Sequence, residues 1–145
     1  MSFNLDRYYY KLQDKLAVPC EDLHEWAEWM GKNNRTVHKT TIEGVLVSTV
    51  FLGLNHNYGE GDPLLFETMV FRDEEYSGTV DFDVVYEEGQ LSGFLGDCIR
   101  TSSWGEAEAA HKKVVAHITE RFEKALEASS NAVYKLITEN CGQFS

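Results

Sequence analysis

The chain has 145 residues, a hydrophobic content of 43% and a mean hydropathy of −0.36. That is enough sequence for one domain with a sizeable core. It excludes a membrane-spanning protein: the longest apolar run, 45–54, is broken by Ser48, Thr49 and Gly53 and is too short to cross a bilayer.

The net charge is −11, and its distribution says more than its total. Residues 44–100 hold eleven acids against only Arg72 and Arg100, a net of −9. Residues 1–43 (seven acids, six bases) and 101–145 (six acids, five bases) each carry about −1. A segment of this sign repels a phosphate backbone, which argues against direct nucleic-acid binding. It attracts basic protein surfaces, including the DNA-binding grooves of nucleic-acid enzymes. The plainer role of such acids is to keep a small protein soluble. The start, MSFNLDRYYYK, lacks the order of a secretory signal, so the sequon Asn34-Arg35-Thr36 reads as accidental. Cys20, Cys98 and Cys141 are odd in number and far apart, which fits neither a disulfide framework nor a Cys-based zinc site. A reducing cytoplasm is the expected setting.

In chain order, Leu5, Tyr8, Tyr9, Leu12 and Leu16 fall at helical spacing and predict a helix over 5–16, with Asn4 as its cap and Pro19 beyond its end. A second helix is predicted from Pro19 or Cys20, with Leu23, Trp26, Ala27 and Met30 as its stripe, Trp29 at the edge and Gly31 as its stop. Residues 36–42 read as a strand. Residues 45–54 and 64–71 read as two strands around the polar loop NHNYGEGDP, the hairpin that organises the fold. Residues 79–86 alternate Val80, Phe82, Val84 and Tyr86 with Asp81 and Asp83, the period of a half-exposed strand. Residues 87–96 read as a loop and 98–101 as a short last strand. Ser103-Trp104-Gly105-Glu106 is a capping box before the clearest helix, whose face carries Trp104, Ala107, His111, Val114, Val115, Ile118, Phe122 and Leu126. A bend at Ser129-Ser130 and a last helix stopping at Gly142 complete the chain. Helices, then strands, then helices predict a single α+β domain, 1–145, with an antiparallel sheet of four to five strands and the helices packed on it.

Few residues point to chemistry. Glu67 sits mid-strand on the side of Leu65, Met69 and Phe71, so its carboxylate must be paired, hydrogen-bonded or shifted in pKa. His111 lies on the apolar stripe of the long helix, where a hydrogen-bonded core histidine is the plainer reading and an acid–base group the sharper one. His56 opens the hairpin loop beside Asn55 and Asn57, in a position that suits binding. His24, His38 and His117 show no shared pattern. The loop has oxygen ligands without EF-hand spacing, and no phosphate-binding, zinc-protease or nucleophile-elbow motif occurs. No metal and no cofactor are expected. Arg72 and Arg100 are each expected to pair with a carboxylate. In a nucleotide-binding reading they become the clamps, with Tyr58, Tyr86, Phe94 or Trp104 stacking on the base.

STVFLGLNH at 48–56, LLFETMVF at 64–71 and SSWGEAEAAH at 102–111 resemble motifs of a family of small acidic proteins encoded by bacteriophages and prophages. The resemblance covers residues 45–115. It implies a phage context without a known activity. Asn55 stands where that family carries an acid before the histidine, which counts against a metal or acid–base site at the loop.

The expected function is therefore a non-enzymatic, phage-encoded accessory protein. It would bind a host protein with a basic surface and inhibit a defence or nucleic-acid-processing complex, through Asp81, Asp83, Glu87 and Glu88 together with His56, Tyr58, Arg72 and Arg100. A homodimer is one state open to it. The alternatives are a nucleotide-binding protein that sequesters a defence signal, a small enzyme using Glu67, His56 and His111 on a nucleotide-like substrate, and a structural accessory protein of the particle.

Overall fold

The structure is a computed structural model that describes residues 8–78 and 98–141. It is α+β. A two-stranded hairpin, β1 (Tyr10–Gln13) and β2 (Leu16–Pro19), precedes helix α1 (Leu23–Lys32). Strands β3 (Thr36–Ile42), β4 (Val45–Phe51), β5 (Phe66–Arg72) and β6 (Cys98–Thr101) form one antiparallel sheet in the order β3-β4-β5-β6. Helix α2 (Trp104–Cys141) closes the chain. Among the described residues, no helix is long and apolar enough to cross a membrane.

The helix expected over 5–16 is a hairpin over its described part. Asp14, at φ 56, and Lys15 reverse the chain, so Tyr10 pairs with Pro19 and Gln13 with Leu16. Five apolar residues fit a helical period, but a run of tyrosines also favours extended chain, and a stretch this short fits both. Tertiary pairing decides between them: Tyr10 N donates to Gly53 O at 2.9 Å, and Tyr9 bridges Leu54. Helix α1 begins after its cap Asp22, whose carboxylate accepts from His24 N and Glu25 N, rather than at Pro19. It runs one residue past Gly31 to Lys32, where Asn33 N and Nδ2 take up the Trp29 carbonyl. Its packing side is Trp26, Trp29 and Met30; Leu23, expected on the stripe, is 54% exposed.

The strands expected over 36–42, 45–54, 64–71 and 98–101 are present, the central two as Val45–Phe51 and Phe66–Arg72. Their alternation sends Val45, Val47, Thr49 and Phe51 of β4, and Phe66, Thr68 and Val70 of β5, to the face covered by α2. The capping box forms with a shift: Ser103 Oγ accepts from Glu106 N at 3.2 Å, and the Glu106 carboxylate accepts from Ser102 N at 3.1 Å, one residue before the cap. Helix α2 then continues through Ser129 and Ser130 without the expected bend or a separate last helix. Serine is only modestly worse than alanine in a helix, and no glycine or proline interrupts 106–141. Residues 79–97, which include the expected strand and loop, and the expected stop at Gly142 lie outside the described residues.

The core has two apolar clusters. One gathers Val45, Val47, Ile99, Ala110, Val114 and Ile118. The other gathers Tyr10, Val37, Phe51, Leu65, Phe66 and Ala107. Burying each of the larger aliphatic side chains contributes about 1.5–3 kcal/mol. Between the clusters lies a polar layer, Thr49, Thr68 and His111, the buried polar side chains of the described chain.

Candidate functional site

The polar layer is the most organised constellation of the described residues. Period-two alternation places Thr49 between Val47 and Phe51 on the inner face of β4, and Thr68 between Phe66 and Val70 on β5. The pairing register sets them side by side, and their Oγ1 atoms lie 2.7 Å apart. His111 descends from α2 onto them. Its Nδ1 is 2.8 Å from Thr49 Oγ1, and its Nε2 is 2.7 Å from Thr40 Oγ1 on β3. A neutral imidazole has one donor and one acceptor nitrogen, and the two hydroxyls can match either tautomer. Burial, and then the neighbouring His38 ring 5.4 Å away, hold the His111 pKa below the usual histidine range. The ring is therefore neutral at physiological pH.

His38, Thr40, His111, Lys112, Val115 and Ala116 line an open depression of about 330 Å³ beside α2. At its rim, His38 Nε2 lies 3.8 Å from Glu108 Oε1, which also accepts from Trp104 Nε1 at 2.6 Å. That indole bond, and then the charges of Lys15, His38 and Lys112, hold the Glu108 carboxyl below its usual range.

Thr40, His111 and Thr49 have the connectivity of nucleophile, base and orienting group. The chemistry does not follow from the connectivity. The orienting group is a neutral hydroxyl, so it stabilises no imidazolium. A second histidine beside the base disfavours its protonation further. Thr49 and Thr68 are 0% and 1% exposed, beyond the reach of a substrate. The layer is a hydrogen-bonded seam that sets the register of α2 on the sheet.

Glu67 stands elsewhere. It precedes Thr68 on β5, so its side chain projects from the opposite face of the sheet. There its Oε2 accepts from Arg100 Nε at 3.0 Å, across the β5–β6 pair. The carboxylate is thus satisfied by an arginine, and the pairing expected of Arg100 is found. His56 lies in the loop after β4, and its Nδ1 donates to Leu54 O at 3.0 Å. Glu67 and His111, two members of the enzyme constellation expected from sequence, occupy opposite faces of the sheet, so the three do not converge on one substrate.

Tyr58 is 83% exposed on the same loop as His56, and Arg72 ends β5. Trp104 caps the apolar cluster of Phe51 and Phe66, its ring edge-on to Phe66 at 6.3 Å. It is engaged in the core rather than presented as a stacking surface. Asp81, Asp83, Glu87, Glu88, Tyr86 and Phe94 lie outside the described residues. Among the described residues, no three His, Cys, Asp or Glu side chains are grouped to hold a metal ion. Thr40 and His38 were not singled out from sequence, although two-residue alternation puts both on the face of Ile42. That was the available signal.

No family model, no curated protein and no solved structure matches this chain.

Proposed function

We propose that this chain is a phage-encoded accessory protein that acts by binding, and that it inhibits a host defence or nucleic-acid-processing complex through an acidic surface. One observation carries the reading: eleven acids against two arginines over residues 44–100. One of those arginines, Arg100, is already committed to Glu67. The described part of that stretch shows how the fold concentrates the charge. Asp73 N donates to Gly44 O at 2.9 Å, which ties the exit of β5 to the β3–β4 turn. Glu43, Asp73, Glu74 and Glu75 are thereby drawn together at one end of the sheet, and three of the four are exposed. Asp81, Asp83, Glu87 and Glu88 follow within fifteen residues. A basic groove on an enzyme of nucleic acids is the complementary surface. The dispersal of Glu67 and His111 to opposite sheet faces favours binding over catalysis. The engagement of Arg100 removes one of the two clamps that a nucleotide reading needs.

The test changes Asp81, Asp83, Glu87 and Glu88 to Asn and Gln. The substituted protein should fold as the parent does. Its capture of a basic host protein should associate about tenfold more slowly or worse, with a flatter salt dependence. Capture that is indifferent both to these substitutions and to salt would reduce the charge to a solubility device.

A further inference from the structure

The loop joining β4 to β5 holds an aromatic side chain outward at a cost in burial. Residues 52–65 are largely without regular secondary structure, yet their own side chains brace them. Asn55 Oδ1 accepts from Asn57 N at 2.8 Å and from Leu64 N at 3.0 Å. Asn57 Oδ1 accepts from Gly59 N at 3.0 Å, and its Nδ2 donates to Asp62 O at 2.9 Å. Main-chain bonds from Leu52 N to Leu65 O and from His56 N to Leu64 O close the base of the loop. Tyr58 at its tip nonetheless remains 83% exposed. Its phenol lies beside that of Tyr8. Tyr8 stands edge-on to Tyr9 at 5.0 Å, and Tyr9 to Trp26 at 5.0 Å. Trp26 Nε1 donates to Tyr10 O and Gly53 O, each at 3.1 Å, and so fixes the inner end of this strip to β1 and to the loop. Glu60 and Asp62, both exposed, flank the tip.

A rigid aromatic presented to solvent loses little conformational entropy when it is covered, which is how binding anchors are built. Ring faces are electron-rich, and adjacent carboxylates deepen the negative potential. The side chain that complements both is a guanidinium: planar enough to stack and charged for the acids. We infer that Tyr58, with the aromatic strip behind it, is the anchor for an arginine side chain of a basic protein partner. The inference rests on the acidic-surface reading above and gives that surface a point of attachment.

The probe is a synthetic peptide of alternating Arg and Gly, compared with the same peptide carrying Lys or the neutral isostere citrulline in place of Arg. Each is titrated into the full chain, labelled with 15N, at low salt. The Arg peptide should shift the amides of residues 54–62 and of Tyr8, and bind more tightly than the Lys peptide. The citrulline peptide should leave them unmoved. Tyr58→Ala should weaken the Arg peptide about three- to tenfold, the range of an aromatic–cation contact. Tyr58→Phe should retain the affinity, and both variants should melt like the parent. Unchanged affinity in Tyr58→Ala, or shifts that avoid the loop, overturns the anchor. If that variant is neutral while the four-acid substitution abolishes binding, the anchor fails and the charge reading stands. If Tyr58→Ala loses binding and the four-acid substitution does not, the anchor stands and the charge reading fails.

Discussion

Replacing His111 with alanine tests the polar seam between α2 and the sheet. The substitution removes hydrogen bonds to Thr40 and Thr49 at 2.7 and 2.8 Å. Thr40 is half-buried and can turn to water. Thr49 is fully buried and keeps only Thr68, so part of its hydrogen-bonding capacity goes unmet. Leaving such a group unsatisfied costs about 1–3 kcal/mol. At about 4 °C per kcal/mol for a chain of this size, the melting temperature should fall by about 4–12 °C. The cost should also depend on pH, with a definite sign. The folded-state pKa of His111 is held below the ordinary value of about 6.5 that the unfolded chain shows. Below about pH 6.5 the unfolded state therefore binds more protons at this site than the folded state, and folding loses stability as pH falls. The charges facing His111 are His38 on β3 and, along α2, Lys112 and Glu108. His38 adds to the penalty that burial places on a protonated ring. Urea titrations of parent and His111→Ala at pH 8 and pH 5.5 isolate the effect of His111 and the His38 ring beside it, because titratable groups that do not face His111 cancel in the difference. The gap in stability should be full at pH 8 and smaller at pH 5.5. A constant gap would show that burial does not hold the ring neutral, and a gap that widens on acidification would show that the fold favours the protonated ring; either would mean the seam is misassigned.

The same seam is expected to couple: Thr49→Val should cost about 1–3 kcal/mol, and combining it with His111→Ala should cost less than the sum, by about 0.5 kcal/mol or more in a double-mutant cycle. Glu67→Gln should cost about 1 kcal/mol by weakening the charge-assisted bond to Arg100. Because Glu67 lies across the sheet from His111, the two changes should add within about 0.5 kcal/mol in urea titrations, and strong coupling would place them in one site. Ser130→Pro should break the far part of α2, lowering ellipticity at the helix band but hardly moving the melting temperature, since the buried positions of α2 among the described side chains run from Ala107 to Ile118. A large drop in melting temperature would mean that the distal half is packed. Gly105→Ala, with nothing within 4 Å of the added Cβ, should stabilise by about 0.5–1 kcal/mol. Gly53→Ala should destabilise by about 1–2 kcal/mol or more, because φ is +75 and the new Cβ would lie 2.6 Å from Met30 Sδ.

The legible parts of this protein are those in which local chemistry and burial agree. β4 and β5 are largely apolar runs around a polar loop, and β4 alternates buried with half-buried positions over its seven residues, so that a one-residue slip would expose its buried side chains. The α+β class, the central hairpin, β3, β6 and the start of α2 could therefore be read from residue order. Thr49 and Thr68 could be read as misplaced for a plain core, and His111 as sitting on the buried stripe. What joins them was not legible. Their hydrogen bonds span sixty-two residues between Thr49 and His111 and seventy-one between Thr40 and His111, and depend on strand register and on the depth of α2. The partner of Glu67 was open for the same reason, because β6 had to be aligned on β5 before Arg100 could be identified. The N-terminal segment went the other way. Its apolar spacing satisfies a helix, and only the turn at Asp14, the pairing of β1 with β2, and the bonds from Tyr10 N to Gly53 O and from Asn55 N to Tyr8 O make it a hairpin. Periodicity records which side of an element is buried. Which polar groups meet inside, and which aromatic rings are left facing water, is decided only when distant segments are brought within hydrogen-bonding distance.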